Sequence, residues 1–234
     1  MSRTFRVPRG HDSFVDILIS EPDLVADNLP LTTWTSSYVL AGLLHKLDVD
    51  HTCSNSIPVL ELGAGTGLVG LTIAALWKMP VILTDLPPIV PGLAANVKLN
   101  DDYVKDLVQC GSLDWSAPDS LLLQNGKVYA ADMDKAQVVV AADVVYSEEH
   151  PELLSGAILR WLAKGPSSRV IIACAQRVAY LEQLRELWEL LEAGGLEAID
   201  EGREQAEVAD WDDECLIEWS VWRWKLSDTS AVRS

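Results

Sequence analysis

Short aliphatic and β-branched runs alternate along this chain with longer stretches whose apolar positions recur at helical spacing. Thr33 to Leu47 carries Leu40, Leu43, Leu44 and Leu47 behind Trp34 and Tyr38, which predicts a helix. Pro58 to Leu62 predicts a strand, followed by a glycine-rich turn and a helix to about Trp77. Val81 to Leu83 predicts a second strand that ends in Thr84-Asp85, and Pro87, Pro88 and Pro91 mark the start of a helix reaching Leu99. Val104 to Cys110 predicts a third strand, interrupted by Lys105 and Asp106. Gln137 to Ala142 and Arg169 to Cys174 predict two more, each followed by a helix, from Glu148 to Ala163 and through Leu181, Leu184, Trp188 and Leu191. Gly194 and Gly195 stop the last helix. Leu196 to Ile199 and Glu214 to Trp224 then predict two strands with no helix between them.

Strands separated by helices mean βαβ units, so the expected fold class is α/β. The sheet is expected to be mostly parallel, with helices on both faces and an antiparallel hairpin at its C-terminal end. Ser116 to Lys135, with its Asn125-Gly126 turn signal, is expected to leave the sheet as an excursion. Residues 1–30 read as a peripheral N-terminal extension holding one strand, Phe14 to Ile19, and residues 31–234 as a single domain.

Of 234 residues, 49% are apolar and 23% charged, a globular balance that excludes disorder, collagen and coiled coil. The net charge of −17 opposes phosphate backbones, so no nucleic-acid partner is expected and a basic or lysine-bearing protein surface fits better. Residues 192–218 hold 11 acids against Arg203 alone, either a solvated face or a docking surface for a basic protein. Cys53, Cys110, Cys174 and Cys215 lie far apart, which suggests neither a metal site nor a redox pair, and three of them sit in apolar, strand-like surroundings that suit a buried free thiol. A reducing, cytoplasmic setting is expected. No apolar run reaches the ~20 residues of a membrane span, and no secretory signal is visible behind the early arginines. His11, His45, His51 and His150 are scattered and read as surface residues. Trp219 and Val221 alternate with Trp222 and Trp224, as in a strand buried on both faces.

The chemistry concentrates where predicted strands end. Glu61-Leu62-Gly63-Ala64-Gly65-Thr66-Gly67-Leu68 follows one strand and opens a helix. Glycines let the backbone approach a ligand closely, and the helix start offers free N–H groups. Asp85 comes 22 residues after Gly63, at the end of the next strand, where an acid meets ribose hydroxyls. The pattern describes a nucleoside-bearing cofactor. Gly65 to Gly70 also fits the dinucleotide spacing, but the extra acid Glu61 suits the α-amino group of a methionine moiety better than a pyrophosphate. Asp114 and Trp115 could hydrogen-bond and stack on an adenine. Asp143 and Tyr146, after the next strand, face the ligand crevice of an open α/β sheet and could hold an incoming amine. Ser147, Glu148 and Glu149 are expected to cap the helix there, leaving Asp143 for other work.

ELGAGTGLVGL, TDLP, the Asp-Trp pair and DVVY, in this order, resemble methyltransferase family 16, the seven-β-strand protein-lysine methyltransferases. The resemblance runs from about Trp34 to the C-terminus. It implies a Rossmann-like, seven-stranded sheet and S-adenosyl-L-methionine as cofactor. By carry-over Trp34, Glu61, Gly63, Ala64, Gly65, Asp85, Trp115 and Ala142 form the cofactor shell, and Asp143 and Tyr146 meet the substrate lysine. It further implies methylation of a protein, since family members act on chaperones, an ATPase and translation elongation factors; a monomer without a metal is expected. A small-molecule amine methyltransferase and a non-catalytic cofactor-binding scaffold are the competing readings.

Overall fold

The computed structural model describes residues 2–26, 28–52, 55–207, 211 and 214–226. Cys53 and acidic residues 210, 212 and 213 lie outside the described residues.

The chain opens with an antiparallel hairpin, β1 (Ser2–Gly10) and β2 (Ser13–Ser20), and a two-residue pair, β3 (Val25–Ala26) with β4 (Leu29–Pro30). Then follow α1 (Thr35–Leu43), β5 (Ile57–Leu62), α2 (Leu68–Trp77), β6 (Val81–Asp85), α3 (Val90–Leu99), α4 (Asp101–Val104) and β7 (Val108–Ser112). The second half runs β8 (Ser120–Leu123), β9 (Val128–Ala130), β10 (Ala136–Ala142), α5 (His150–Trp161), β11 (Arg169–Ala175), α6 (Leu181–Ala193), β12 (Leu196–Gln205) and β13 (Leu216–Trp224).

The main sheet has the order β12-β13-β11-β10-β5-β6-β7-β8-β9. Five central strands, β11 to β7 in that order, are parallel, and β13 and β12 close one side antiparallel. Those are the seven strands expected. The sheet nevertheless has nine, because residues 116–135 do not leave it. Leu121 and Leu123 are buried while Ser120 and Leu122 are exposed, a period-2 pattern that extends the edge as a hairpin through Asn125-Gly126. The third strand also starts later than expected, at Val108, because residues 101–104 form a helical turn.

Each face of the sheet carries its own core. Leu68, Leu71, Ile73, Val59 and Val140 belong to one, Leu60, Val139, Leu154, Ile158, Leu187 and Trp222 to the other. Helix α2 is buried nearly all round, as its apolar sequence requires, and its one polar side chain, Thr72, donates to the Leu68 carbonyl. Val221 and Trp219 join the first core, Trp222 and Trp224 the second, so β13 is covered on both faces.

The N-terminal residues are not peripheral. Phe5, Val7, Val15, Ile17 and Ile19 all belong to the first core. Two buried asparagines, Asn96 on α3 and Asn100 just after it, tie the hairpin down: Asn100 bonds the N–H and C=O of Leu18, and Asn96 those of Ser20. The acidic stretch supplies the opposite sheet edge. Asp200, Glu201 and Glu204 are exposed on β12, where charge discourages edge-to-edge pairing. Cys110, Cys174 and Cys215 are buried, Cys110 and Cys174 as free thiols, and burial pushes the Cys110 thiol up to about 12.

Candidate active site

Strand order reverses beside β5: the chain goes first to β6 and β7 and later returns to β10 on the other side. That is where a crevice opens at the carboxyl ends of the strands. A cleft of about 970 Å³, its mouth included, lies there. It is lined by Gly63, Ala64 and Gly65 after β5, Asp85 on β6, Asp114 and Trp115 after β7, Ala142 and Asp143 at the tip of β10, and Tyr146. Trp34, just before α1, lines it from the side.

Gly63 has φ +62°, and a Cβ there would meet Val144 at 2.7 Å and the Trp115 ring at 3.2 Å. Only glycine fits both the left-handed backbone and the close indole. The Asp85 carboxylate is aimed by two backbone donors, Gly65 N–H at 2.8 Å and Leu86 N–H at 2.7 Å. Thr66, next in the loop, is braced by the Thr33 hydroxyl at 2.9 Å and by Asn96, which donates to its carbonyl at 2.9 Å. Asp114 is turned locally, accepting both the N–H and the hydroxyl of Ser116.

Glu61 does not line the cleft. It is 2% exposed, and its Oε2 accepts the Gly70 N–H at 2.8 Å under the start of α2. Burial, with Asp85 nearby, raises its carboxyl to about 8. Buried under the start of α2 and outside the residues that line the cleft, it is not placed as the α-amino partner expected. Its job is to knit β5 to α2, where a Cβ on Gly70 would collide with Leu83 and Glu61.

At the tip of β10, Asp143 has φ +61°, a left-handed conformation that Asp tolerates but rarely adopts. Its N–H is held by the Ala173 carbonyl at 2.8 Å. Its carboxylate is not free as expected: Arg177 forks onto it, Nη1 to Oδ1 at 2.6 Å and Nη2 to Oδ2 at 2.8 Å. The Arg177 guanidinium also lies 5.6 Å from the Trp34 ring centroid. Nothing in the sequence marks Arg177, because the pair joins residues 34 apart through adjacent strand ends.

The expected cap from Ser147 is also absent. Helix α5 is preceded by Glu149, with no side-chain cap, and begins at His150-Pro151. His150 is not a plain surface residue. Its Nδ1 lies 3.3 Å from the Tyr146 N–H as acceptor, and its ring stands edge-on to Tyr146 at 4.2 Å and to Trp115 at 5.9 Å. It lines the cleft and fixes the Tyr146 segment. Among the described residues no group of three His, Cys, Asp or Glu is arranged to hold a metal, and no helix is long and apolar enough to cross a membrane.

With this geometry in place, the matches to known proteins become specific. The lysine methyltransferase family profile aligns with residues 17–188, across the glycine loop, Asp85 and the Asp143–Tyr146 segment. The chain belongs to the lysine methyltransferase family. Relatives include the protein-lysine N-methyltransferase EFM2 of Saccharomyces cerevisiae, 37% identical over 212 residues, covering 83% of this chain and 48% of that protein. The protein-lysine N-methyltransferase rrg1 of Schizosaccharomyces pombe is 32% identical over 199 residues, covering 83% and 61%. The chain thus spans about half to three fifths of the length of these two relatives. Fibrillarin from Aeropyrum pernix, solved with S-adenosyl-L-methionine, shares the fold at a TM-score of 0.53 and 14% identity, over 80% of this chain and 76% of that one. As the family profile begins at residue 17, it takes in the second half of β2, so the family likeness starts before Trp34.

Proposed function

We propose that this lysine methyltransferase family member uses S-adenosyl-L-methionine to methylate a lysine side chain of a protein. The observation that carries this reading is the cleft at the strand-order reversal, with the glycine loop and Asp85 on one side and Asp143 and Tyr146 on the other.

The residues present fit that cofactor. Asp85, pre-aimed by two N–H groups, has the acceptor geometry for ribose hydroxyls. Trp115 offers an indole face for adenine, with Asp114 beside it as an acceptor. Gly63, Ala64, Gly65, Trp34 and Ala142 complete the cofactor's surroundings. When bound, this cofactor supplies a methyl group activated by a cationic sulfur. The chain's own work is then to deliver an uncharged amine in line with it.

Lysine has a reference pKa near 10.4, so presenting it neutral at pH 7 costs roughly 4–5 kcal/mol. Asp143 orients the amine as an acceptor, and Tyr146, held by His150, walls the channel. The substrate is a protein with a lysine-bearing surface, a translation elongation factor being the first to try, since many members of the family the sequence resembles act on translation factors. The protein works as a monomer in the cytoplasm, a compartment that suits buried thiols such as Cys110 and Cys174.

Methyl-tritiated S-adenosylmethionine, incubated with the protein and a cell lysate and resolved on a gel, tests this reading. A labelled protein band is expected. Label confined to small molecules would point to a small-molecule amine methyltransferase, and no label to a non-catalytic scaffold.

A further inference from the structure

The side chain expected to meet the substrate already has a cation on it. Asp143 is 3% exposed at its side chain, Arg177 23%, and the two are joined by two parallel hydrogen bonds of 2.6 and 2.8 Å. Such a fork fixes the carboxylate plane and cancels its charge. It uses one acceptor position on each oxygen, and a carboxylate has about four. Asp143 therefore keeps acceptor capacity for an N–H group without the negative charge that would hold an ammonium.

Three elements set this up. The left-handed backbone of Asp143 turns the chain at the tip of β10, and its N–H is locked to the Ala173 carbonyl on β11. Arg177 follows β11 by two residues, and its N–H bonds the Ala175 carbonyl. Trp34, a cleft-lining residue, lies against the guanidinium from the α1 side. Among the described residues, the other carboxylates lining the cleft, Asp85 and Asp114, sit on the far side of β5, at the end of β6 and just after β7.

Resting on the proposed lysine methylation, we infer that Arg177 is a positioning residue that makes the acceptor site select the free amine over the ammonium. By neutralising Asp143 it leaves the site with no charge reward for a protonated lysine. A bare Asp143 would bind the protonated, unreactive form more tightly. Arg177 thus acts through Asp143 and need not touch the substrate.

The test uses n-butylammonium and n-butanol, a charged and an uncharged mimic of the lysine end, titrated by saturation-transfer NMR with and without S-adenosylhomocysteine. Wild-type protein is expected to hold the two probes with dissociation constants within about threefold of each other. Arg177→Met is expected to favour n-butylammonium by tenfold or more, and Arg177→Lys, which keeps the charge, to stay near wild type. A wild-type preference of tenfold or more for n-butylammonium would overturn the inference without any variant. So would an Arg177→Met ratio equal to that of wild type. Failure of S-adenosylhomocysteine to bind would count against the methyltransferase reading instead, and is read separately from the probe ratio.

Discussion

Asp85 Oδ2 accepts the Gly65 N–H at 2.8 Å, joining the end of β6 to the loop after β5. The acid that would hold the ribose is thus oriented by the loop that would cradle the rest of the cofactor. One substitution should damage both.

Asp85→Ala is expected to weaken S-adenosylhomocysteine binding by about 10- to 100-fold, the loss of one hydrogen bond to a charged group at about 1.5–3 kcal/mol. It also strips the Gly65 and Leu86 N–H groups of their acceptor. Calorimetry measures the affinity directly. An unchanged affinity would remove Asp85 from the cofactor shell.

Glu61 gives a pH signature in stability. Its folded-state value of about 8 stands above the ordinary 4.5, because burial penalises the anion. Between those values the folded chain keeps a proton that the unfolded chain has lost, so stability falls as pH rises through that window. Glu61→Gln keeps an acceptor for the Gly70 N–H and removes the titration. Urea melts should show the variant on a par with wild type near pH 4.5 and more stable by pH 8, on the order of a few kcal/mol. A gap that does not widen with pH would contradict this account of Glu61.

Asn96 joins two parts of the molecule. It accepts from Ser20 N–H and donates to the Ser20 and Thr66 carbonyls, so the N-terminal hairpin and the glycine loop share one buried side chain. Asn96→Ala leaves three backbone groups without that partner. The expected loss is about 2–4 kcal/mol by urea denaturation. Saturating S-adenosylhomocysteine should raise the variant's Tm less than it raises that of wild type. Equal shifts would mean that the loop does not depend on Asn96.

Much of the fold was legible because burial on two faces writes continuous apolar runs. Val138, Val139 and Val140, like Ile171 and Ile172, announce central parallel strands. The glycine loop and Asp85 were legible as local chemistry at fixed spacing. The added β8–β9 hairpin was harder to see, because its strands are short and half exposed and only their alternation and the Asn-Gly turn mark them. The buried face of β1 is Phe5 and Val7 alone, set among arginines and a proline. Glu61 misled because its charge state is a property of the folded interior. Arg177 and His150 carry no local signal, since their roles come from tertiary contacts with Asp143, Tyr146 and Trp115.

The most direct measurement takes the protein band labelled in the lysate and locates the methyl group by mass spectrometry, for wild type and for Asp143→Ala. The account expects methylation of a lysine side chain by wild type. It expects at least a 100-fold loss of methylation in Asp143→Ala, with S-adenosylhomocysteine affinity largely kept. Methylation of another residue type, or undiminished lysine methylation by Asp143→Ala, would contradict it.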